Sequence, residues 1–488
     1  MLEWLQNQGG TYHNFIDGAF VESRTSYTPI YNAANAEQLL GYFPDSSEQE
    51  VNEAVDAAER GLSRIAQLSM TDRSHIMLRF AELLLRDRQE LAYRIAAEQG
   101  KVLSEALGEV DRARNEAIFV ATEALRVQGL HVPAERAGMH NYVQQVPIGV
   151  VAAIAPWNFP VVTPVRKIVP AFIYGCSVVF KPASYTPFAA AKLMELFAEA
   201  NVPSGAINMI VGSGRIIGKA LVAHPKVRGI SFTGSTDQGM NIQQVAAARL
   251  AKTQLELGGK NAAIVLSADH VAKIAKQIVS AAFGCTGQRC TAISRVIVRS
   301  SIKQELTSAI VEEAQKLNIG PAWKESSQMG PLINAQHMKS VCTHIKGALD
   351  EGARLLTGGG RMTGGLYDKG NYLEPTIFDH VQSQMKIATE EVFGPVLTIQ
   401  EVDSVEEAIE VANATKYGLA TSIFSTILQE AFAVSNAIQS GMIHINHGTS
   451  SAHHLPFGGV KQSGFGAFSI GSTNQQFYTE PKVTYIEY

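Results

Sequence analysis

An alternation of short apolar runs with helical segments is the feature that most constrains the fold. The apolar runs span residues 148–155, 177–180, 207–211, 229–233 and 262–266. Helical patterns lie between them at 187–200, 216–223 and 239–249. Short, wholly apolar strands separated by helices are typical of a parallel sheet that is covered on both faces. The sequence therefore predicts an α/β fold with a doubly wound sheet and right-handed crossovers.

The N-terminal part of the chain carries two local signals. The pair Asp17 and Gly18 lies between apolar runs and predicts a β-hairpin. Ser46 and Ser47 are followed by glutamates and predict the start of a helical region that reaches about residue 127. We therefore expect a hairpin and several helices before the first parallel strand.

A second α/β unit is predicted after the glycine pair at 258–259. Helical patterns at 271–283 and 302–317 flank a strand pattern at 294–298. Residues 482–488 alternate and predict an edge strand that pairs with another chain.

Composition excludes several functional classes. A chain of 488 residues is long enough for two or three structural units. The formal net charge of −4 argues against a nucleic-acid partner. The four cysteines include no CxxC pair, so neither a disulfide framework nor a metal site is predicted. Residues 1–10 lack a signal-peptide pattern and 146–159 is too short to span a bilayer, which predicts a cytoplasmic protein without a membrane partner.

Cys290 lies in a glycine-containing, loop-type sequence directly after Arg289. Two interpretations are open for such a cysteine. A neighbouring arginine can lower the pKa of the thiol and make it a nucleophile. The thiol can instead be partly buried and serve as a small apolar side chain.

Glu256 and Asn158 are candidates for the other polar functions of a catalytic site. Glu256 stands between two leucines, where burial would raise its pKa and suit it to act as a general base. The alternative is a salt-bridged glutamate at the end of an element. Asn158 directly follows a predicted strand, at the sheet edge where open α/β sheets bind ligands. Its amide can stabilise an oxyanion or form a turn before Pro160.

Three predicted strand ends carry nucleotide-type signals. Gly212, Gly214 and Gly218 form a GxGxxxG pattern, which is one residue longer than the dinucleotide fingerprint. Lys181 ends another strand, and residues 232–235 end a third. Together these polar strand ends predict a nucleotide crevice at the carboxyl edge of the sheet.

Seven motifs extend these observations over most of the chain. They are PWNFP at 156–160, KPAS at 181–184, FTGS at 232–235, LELGGK at 255–260, GQRC at 287–290, EVFGP at 391–395 and PFGGVK at 456–461. With these motifs in this order, the chain resembles the aldehyde dehydrogenase superfamily over essentially its whole length. In its motifs it is most similar to succinate-semialdehyde and 2-oxoglutarate-semialdehyde dehydrogenases.

The resemblance implies NAD(P)-dependent oxidation of an aldehyde to a carboxylic acid. Cys290 would attack the aldehyde, Asn158 and the Cys290 backbone N–H would hold the oxyanion, and Glu256 would activate the hydrolytic water. Lys167 matches a lysine of a proton relay near the thiol. The presence of Glu256 favours hydrolysis to a free acid over transfer of the acyl group to coenzyme A.

The resemblance also implies a site for NAD or NADP. Glu391 would hold the nicotinamide ribose with Phe393 beside it, and Lys181 would meet the adenine ribose. The remaining cofactor residues are predicted to be Ile154, Pro156, Trp157, Gly214, Gly218, Phe232, Gly234, Ser235 and Leu257. NAD-restricted relatives carry a glutamate three residues after the lysine, where it repels a 2′-phosphate. Here that position is Ser184, which predicts that NADP is tolerated.

Four residues are predicted at the substrate end of the site. Arg166 matches an arginine that contacts the substrate carboxylate in succinic-semialdehyde dehydrogenases, although a structural arginine is the alternative. Those enzymes often place a second arginine where this chain has Gly284. Cys285 is expected in the pocket wall, and His447 and Ser451 in the loop at the substrate mouth.

These residues predict a short semialdehyde with a remote carboxylate as the substrate, succinic or 2-oxoglutaric semialdehyde being the natural candidates. A sulfonated aldehyde is a further option, and broad specificity for aliphatic or aromatic aldehydes is the alternative. A non-catalytic protein on the same fold is disfavoured because Cys290 and Glu256 are both present.

The family pattern implies a division of the chain into three units. The expected Rossmann-type nucleotide-binding domain comprises 1–127 and 147–257, and the α/β catalytic domain comprises 258–435. A return segment at 436–470 carries the substrate-mouth loop, and a β arm for oligomerisation comprises 128–146 and 471–488. Edge strands in this arm predict a homodimer or homotetramer.

Overall fold

The computed structural model describes residues 1–126 and 129–488. The predicted boundary between residues 127 and 128 lies outside the described residues. Within the two described ranges, no helix is both long enough and apolar enough to cross a membrane.

The first sheet has eight strands and contains the predicted parallel core. From edge to edge the strands are Gly464–Phe465, Lys252–Glu256, Val227–Thr233, Val150–Ile154, Ser177–Lys181, Ile207–Met209, Asn14–Ile16 and Ala19–Val21. The five strands from Lys252–Glu256 to Ile207–Met209 run parallel. Every residue of the two central strands is buried, which confirms the prediction from their wholly apolar sequences.

Helices pack on both faces of this sheet. They are Leu2–Gln6, Glu48–Ala66, Met70–Arg86, Arg88–Gln99, Leu103–Glu123, Val162–Ile173, Phe188–Glu199, Lys219–Ala223, Thr236–Ala247 and Asn474–Tyr478. Within the strand Val150–Ile154, Val151 and Ala153 belong to one apolar cluster, and the other three residues belong to a second. The alternation of side chains along a strand therefore separates two cores.

The two local signals near the N-terminus are confirmed. Asp17 and Gly18 have φ angles of 52° and 87°, and they connect the antiparallel strands on either side. Both positions are left-handed, a conformation that an Asp-Gly pair tolerates. Ser47 and Glu50 form a reciprocal capping box at the start of the helix Glu48–Ala66. Three further strands, Gly10–Thr11, Asn35–Pro44 and Tyr27–Asn32, form a small separate sheet.

The helix predicted at 216–223 begins differently from the prediction. Residues Gly214–Gly218 form a π-helical turn, and the α-helix is limited to Lys219–Ala223. The Ser213 hydroxyl caps this turn by accepting a hydrogen bond from the Arg215 N–H. The glycine-containing segment therefore forms a π-helical turn in place of the α-helical start that is usual in dinucleotide-binding sites.

The second sheet has seven strands and forms the predicted second α/β unit. In order they are Arg354–Thr357, Thr376–Asp379, Val396–Val402, Ile293–Arg299, Asn261–Val265, Ala420–Phe424 and Met442–Ile445. All neighbouring pairs are parallel except the first. The helices of this unit are Val271–Phe283, Ser300–Gln315, Ala335–Asp350, Lys386–Thr389, Val405–Asn413 and Leu428–Ala437.

The third unit is a small antiparallel sheet. Its strand order is Thr479–Glu487, Met139–Pro147 and Leu130–Val132. The C-terminal segment is an edge strand of this sheet, as predicted, with Val483 and Tyr485 exposed. The preceding helix Asn474–Tyr478 lies instead in the apolar core of the first sheet, where Phe477 and Tyr478 are buried.

The chain crosses between the two large sheets twice, and these crossings place the site. It leaves the first sheet at Glu256 and enters the second at Asn261, then returns to the first sheet at Gly464. The crossing segments bind each other: the Leu257 N–H donates to the Ser463 carbonyl at 2.9 Å, and the Ser463 hydroxyl donates to the Gly258 carbonyl at 2.6 Å. The end of the strand Lys252–Glu256 and the start of the strand Asn261–Val265 therefore lie close together beside Glu256.

Candidate active site

Three separate segments bring the predicted catalytic side chains together. Asn158 lies in the loop after the strand Val150–Ile154, and Glu256 ends its own strand. Cys290 lies just before the strand Ile293–Arg299 of the second sheet. All three side chains line a cavity of about 270 Å³, which we call the central cavity. Its position at the carboxyl edge of the first sheet is where open α/β sheets bind ligands.

Many of the other predicted residues line the same cavity. They are Pro156, Trp157, Arg166, Gly234, Ser235, Leu257, Glu391, Phe393 and Ser451. The structure thus brings together residues that are widely separated in the sequence.

The loop that carries Cys290 is fixed by hydrogen bonds and by close backbone packing. The Asn261 amide donates to the carbonyls of Cys290 and Ala292 at 2.7 and 2.9 Å. A Cβ atom on Gly259 would lie 2.8 Å from the Cys290 carbonyl oxygen, so this approach requires glycine. Earlier in the loop, Cys285 has a left-handed backbone conformation with φ of 52°. The thiol is therefore presented by a rigid loop.

The prediction that Arg289 lowers the pKa of Cys290 is wrong. Although Cys290 is partly exposed at the cavity surface, the surrounding protein desolvates its thiol, and this burial raises the pKa well above the usual value. The neighbouring carboxylates of Glu256 and Glu391 raise the pKa further. The Arg289 guanidinium donates to the Ala281 carbonyl at 2.6 Å. The resting thiol is protonated at neutral pH, so a base has to remove its proton.

Glu256 has the properties expected of such a base. Its carboxyl group is buried, as the two flanking leucines indicate, and burial raises its pKa. The hydrogen-bonding influence of the Cys290 thiol and the positive charges of Arg166 and Lys167 oppose that shift. Among the described residues, its Oε1 atom has no hydrogen-bond partner. A buried carboxylate beside a thiol, with one oxygen unpaired, is suited to accept a proton.

Asn158 is held by a buried polar network. Its amide nitrogen donates to the Gln288 carbonyl at 2.9 Å, and its own backbone carbonyl accepts from the Lys101 ammonium at 2.8 Å. Lys101 also forms a fully buried ion pair with Glu109 at 2.7 Å. The second Glu109 oxygen accepts from the Val161 N–H at 2.8 Å. The loop that carries Asn158 is therefore held by hydrogen bonds at Asn158 itself and at Val161.

Lys167 lies behind Glu256 and does not line the central cavity. It borders a small pocket together with Glu256 and Gln254. Its ammonium donates to the Ser231 hydroxyl at 3.1 Å, and this hydroxyl donates to the Gln254 amide oxygen at 2.9 Å. Burial lowers the pKa of Lys167 to about 7, while the charge of Glu256 opposes this shift. An amine with this pKa can hold or release a proton near neutrality.

A second cavity, which we call the crevice, has a volume of about 1020 Å³ and follows the carboxyl ends of the parallel strands. Most of the predicted cofactor residues line it: Ile154, Pro156, Trp157, Lys181, Ser184, Gly214, Gly218, Phe232, Gly234 and Ser235. Of these, Pro156, Trp157, Gly234 and Ser235 also line the central cavity. The crevice therefore opens directly onto the catalytic side chains.

The groups that line the crevice fit a dinucleotide. Lys181 is buried, burial lowers its pKa to about 8, and its ammonium donates to the Pro182 carbonyl at 3.0 Å. The Ser184 hydroxyl donates to the Gly212 carbonyl at 2.9 Å. The helix Thr236–Ala247 begins at the crevice wall, where the free N–H groups of a first turn favour phosphate. Hydrogen-bond donors for sugar and phosphate groups are therefore spaced along the crevice.

Two further predicted cofactor residues, Glu391 and Phe393, line the central cavity. The Glu391 carboxylate accepts from the Gly259 N–H at 3.0 Å, and burial raises the pKa of Glu391 to about 7. Phe393 has a left-handed φ of 57°, and its carbonyl lies 2.8 Å from the His337 Nε2 atom. The Trp157 ring packs edge-on against Phe393 at 5.4 Å.

Arg166 lines the central cavity and also has a structural partner. Its Nε and Nη2 atoms donate to the two Glu116 oxygens at 3.0 and 2.7 Å. The guanidinium lies 4.7 Å from the centre of the Phe457 ring. The structural interpretation is therefore confirmed, because Glu116 offsets the charge of Arg166, whereas contact with a substrate carboxylate stays a prediction.

Two predicted substrate residues are absent from the described lining of the central cavity. Cys285 is 5% exposed and its N–H donates to Glu105 at 2.7 Å, so its thiol is packed inside the loop and is not part of the pocket wall. Burial raises the pKa of the Cys285 thiol to about 12. His447 is exposed and lines an outer cavity of about 450 Å³. The prediction that Cys285 lines the pocket wall is therefore wrong, whereas Ser451 does line the central cavity. The mouth position of His447 stays a prediction, because its outer cavity shares Arg289, Thr449 and Ser450 with the central cavity.

Sequence reasoning missed several lining residues. They are Arg112, Phe159, Val162, His337, Thr449 and Phe457, together with the Arg289 side chain as part of the wall. Arg112 lies on the helix Leu103–Glu123, outside all seven motifs. The only signal was the spacing of Glu109, Arg112 and Glu116, which puts them on one helical face. A charged helical face usually points to solvent, so this signal did not indicate a cavity.

A parallel-sheet crevice that opens onto a cysteine, a buried carboxyl group and a side-chain amide is an arrangement suited to a nucleotide-dependent oxidoreductase. The family model described as the aldehyde dehydrogenase family matches residues 20–484. The chain therefore belongs to the aldehyde dehydrogenase family. It is an NAD(P)-dependent aldehyde dehydrogenase.

The chain is similar to several known enzymes. It is 37% identical over 479 residues to an alpha-ketoglutaric semialdehyde dehydrogenase of Bacillus subtilis, with 98% of each chain covered. It is 36% identical over 462 residues to a mitochondrial succinate-semialdehyde dehydrogenase of Arabidopsis thaliana, covering 95% of this chain and 86% of the relative. It is also 36% identical over 453 residues to a 3-sulfolactaldehyde dehydrogenase of Pseudomonas putida, covering 93% and 92%.

Solved structures agree in fold and supply cofactor complexes. A 3,6-anhydro-L-galactose dehydrogenase with bound NADP superposes with a TM-score of 0.95 at 32% identity, covering 98% of this chain and 100% of that chain. The NAD+ complex of an aldehyde dehydrogenase from Bacillus cereus superposes with a TM-score of 0.95 at 31% identity, covering 100% and 98%. The fold is thus that of the family, and both cofactors occur among these neighbours.

Proposed function

We propose that this enzyme oxidises a short aldehyde with a remote carboxylate, with succinic and 2-oxoglutaric semialdehyde as the leading substrates. The observation that carries the proposal is the charge of the cavity wall, because Arg112, Arg166 and Arg289 all line the central cavity with Cys290. Guanidinium groups bind carboxylates through paired hydrogen bonds. The names of two relatives, a ketoglutaric and a succinic semialdehyde dehydrogenase, agree with this chemistry.

The proposed reaction begins with proton transfer from the Cys290 thiol to Glu256. The thiolate sulfur then forms a bond to the aldehyde carbon, and the carbonyl π electrons move to oxygen, which gives a thiohemiacetal anion. One N–H of the Asn158 amide is held by the Gln288 carbonyl, so the other is the proposed donor to this oxyanion. The Cys290 backbone N–H is the second proposed donor.

The nicotinamide ring, when bound, accepts the hydride that the substrate carbon releases. Cys290 then holds the acyl group as a thioester. Glu256 takes a proton from a water molecule while the water oxygen attacks the thioester carbon. The C–S bond breaks, the Cys290 thiolate leaves and the carboxylic acid is free.

Glu256 acts as a base in both steps, so it has to lose the first proton before the second step. Lys167 is the proposed acceptor of that proton, since it borders the same small pocket and its pKa of about 7 matches the task. Only the neutral amine form of Lys167 can take this proton, and its Nζ atom is held 3.1 Å from the Ser231 hydroxyl. In this relay Lys167 acts through Glu256 and does not contact the substrate.

The crevice suits NADP as well as NAD. Ser184 is a small neutral residue where a glutamate would repel a 2′-phosphate, and Arg215 and Lys219 line the same crevice. We therefore propose that both cofactors support turnover. A kcat/KM for NADP far below that for NAD would contradict this part of the proposal.

Two other substrate classes are the alternatives. A sulfonated aldehyde presents a similar anion to the arginines, and one relative is named a 3-sulfolactaldehyde dehydrogenase. Broad specificity for neutral aldehydes would leave the three cavity arginines without a role in recognition. The charge of the cavity wall favours an anionic substrate over the neutral class.

The test is a panel of aldehydes measured with each cofactor by nicotinamide reduction. We expect the highest kcat/KM for succinic or 2-oxoglutaric semialdehyde, and a value at least about tenfold lower for butanal, because one ionic hydrogen bond is lost. Arg166→Leu is expected to weaken the preference for the anionic substrates. Equal kcat/KM values for butanal and succinic semialdehyde would refute the proposed substrate class.

We also propose that the enzyme is a homodimer or homotetramer. The antiparallel sheet exposes the apolar side chains of Leu130, Val483 and Tyr485 on its outer strands. Exposed edge strands of this kind pair with a second copy. Sedimentation equilibrium at micromolar concentration tests the proposal, and a monomer mass would contradict it.

A further inference from the structure

The three arginines of the central cavity differ in how much of their charge is free. Arg166 donates two hydrogen bonds to Glu116, and both side chains of the pair are almost fully buried. A bidentate pair of this kind is electrically neutral as a unit. An anionic substrate that approaches Arg166 therefore meets Glu116 at the same time.

Arg112 has no such partner. Within residues 1–126 and 129–488 its guanidinium forms no ion pair and no hydrogen bond, and its aromatic neighbour is the Phe159 ring. The two glutamates on the same helical face are engaged elsewhere, Glu109 with Lys101 and Glu116 with Arg166. Burial lowers the pKa of Arg112 and the charges of Arg166 and Arg289 lower it further, while the charges of Glu116 and Glu109 oppose the shift.

Arg289 is also free of a carboxylate within the described ranges. One of its nitrogens donates to the Ala281 carbonyl at 2.6 Å, while its Nε atom is buried without a hydrogen-bond partner. The nearby Glu105 is half-buried, accepts a hydrogen bond from the Cys285 N–H at 2.7 Å and forms no ion pair with Arg289.

We propose that Arg112 and Arg289 together bind the remote anionic group of the substrate, and that Arg166 is a positioning residue held by Glu116. The inference rests on the proposed function and names the residues that select for the anion. Both arginines line the cavity that holds Cys290, and the Phe159 ring, which lines the same cavity, lies 6.0 Å from the Arg112 guanidinium. A carboxylate or a sulfonate fits this pair, and the two are separate arms of the test.

The test compares two substrates of matched length, succinic semialdehyde and its neutral methyl ester. For each enzyme the ratio of the two kcat/KM values is the anion preference. Arg112→Met and Arg289→Met are each expected to lower this preference by about 10- to 100-fold, the effect of one ionic hydrogen bond. A sulfonated three-carbon aldehyde with its neutral analogue is measured in the same way.

Arg166→Met and Arg126→Met serve as comparison variants. Arg166→Met is expected to lower the anion preference less than either of the other two, and to reduce stability, because Glu116 is left buried without its partner. Arg126 is exposed and bonds to the neighbouring Thr122 and Glu123, so Arg126→Met removes the same charge outside the cavity. Its anion preference should equal that of the wild type.

A second measurement does not depend on turnover. Iodoacetate and iodoacetamide both alkylate Cys290, and only the first is an anion. In the wild type, iodoacetate is expected to react faster relative to iodoacetamide than it does with free cysteine. Arg112→Met and Arg289→Met should remove this excess, as measured by mass spectrometry of the peptide that contains Cys290.

Two failures are distinguishable. If the wild type shows no anion preference, the proposed substrate class is wrong. If the wild type prefers the anion, and Arg166→Met removes the preference while Arg112→Met and Arg289→Met retain it, the substrate class stands and the present inference is overturned.

Discussion

The crevice and the central cavity meet in one site but are built in different ways. The crevice follows the ends of parallel strands, where small residues such as Gly214, Gly218 and Ser184 leave the backbone accessible beside larger side chains such as Trp157 and Lys181. The substrate side of the central cavity consists of long side chains from separate segments. Arg112 comes from a helix of the first unit, Arg289 from the nucleophile loop, and residues 449–451 from the mouth loop.

This difference determines which part of the site can vary from one enzyme to another. A dinucleotide has fixed chemical groups, and strand ends with a helix N-terminus supply matching donors through the backbone. A substrate differs from one enzyme to another, and long side chains on separate elements can be replaced without altering the sheet. The crevice is therefore evidence for the class of reaction, whereas the arginines are evidence for the substrate.

Cys290→Ala tests whether the two parts work independently and has the largest expected effect. Turnover should fall by about 10⁴-fold or more, because no other group can hold the acyl intermediate. Binding of NADP, measured by calorimetry, should stay close to that of the wild type. Cys342→Ala is the matched control, since Cys342 lies on the helix Ala335–Asp350 and outside both cavities. Retained turnover in Cys290→Ala would contradict the nucleophile assignment.

Glu256→Gln separates the chemistry at the junction into its steps. We expect kcat to fall by about 10²- to 10³-fold from loss of the general base. Intact-mass spectrometry then separates the two steps: an acyl enzyme that accumulates assigns the loss to deacylation, and its absence assigns the loss to activation of the Cys290 thiol. Burial raises the pKa of Glu256, so the active carboxylate form is lost as the pH falls through this raised pKa. Wild-type kcat should therefore decline on the acid side at a higher pH than a free glutamate would give.

The Gln variant has no carboxyl group at this position, so the acid-side decline assigned to Glu256 should be absent from its pH profile. An unchanged decline would show that another group controls deacylation. Lys167 is the first such candidate, because its pKa of about 7 lies in the same range.

The contrast also explains how much the sequence predicted. The parallel strands, the helix start at Ser47 and the polar strand ends at Lys181 and 232–235 were predicted because each depends on a few neighbouring residues, whereas the other crevice residues were implied by the family resemblance. The direction of the Cys290 pKa shift was not predicted, because it depends on burial and on Glu256 and Glu391, which are distant in the chain. A sequence shows that Arg289 precedes Cys290, but not that its side chain points to a helix carbonyl.

Ser184→Glu tests the crevice side alone. A carboxylate placed near a 2′-phosphate should lower kcat/KM for NADP by about 10- to 100-fold through charge repulsion, with a much smaller change for NAD. Ser184→Ala is the control, since it removes the hydrogen bond to the Gly212 carbonyl without adding charge. The anion preference among aldehydes should be the same in both variants. A changed aldehyde preference would mean that the two parts are coupled.

Replacement of Lys273 and Lys276 by Gln tests the substrate side alone and has the smallest expected effect. Both lysines are exposed and line the outer cavity with His447, and Arg289 lines this cavity and the central one. Together they place positive charge along the path to Cys290, which attracts anions over a distance of about one Debye length. The double variant should lower kcat/KM for succinic semialdehyde by about two- to fivefold at low ionic strength.

The salt dependence identifies the cause of that effect. Raising the ionic strength screens charges in solvent, so the difference between variant and wild type should vanish near 1 M salt, where the Debye length is about 3 Å. The matched control replaces Lys339 and Lys346, which are exposed on the helix Ala335–Asp350 and line none of the cavities described above. This control changes the net charge equally, so an equal loss of kcat/KM would assign the effect to overall charge. A loss confined to Lys273 and Lys276 that persists at high salt would indicate direct contact with the substrate.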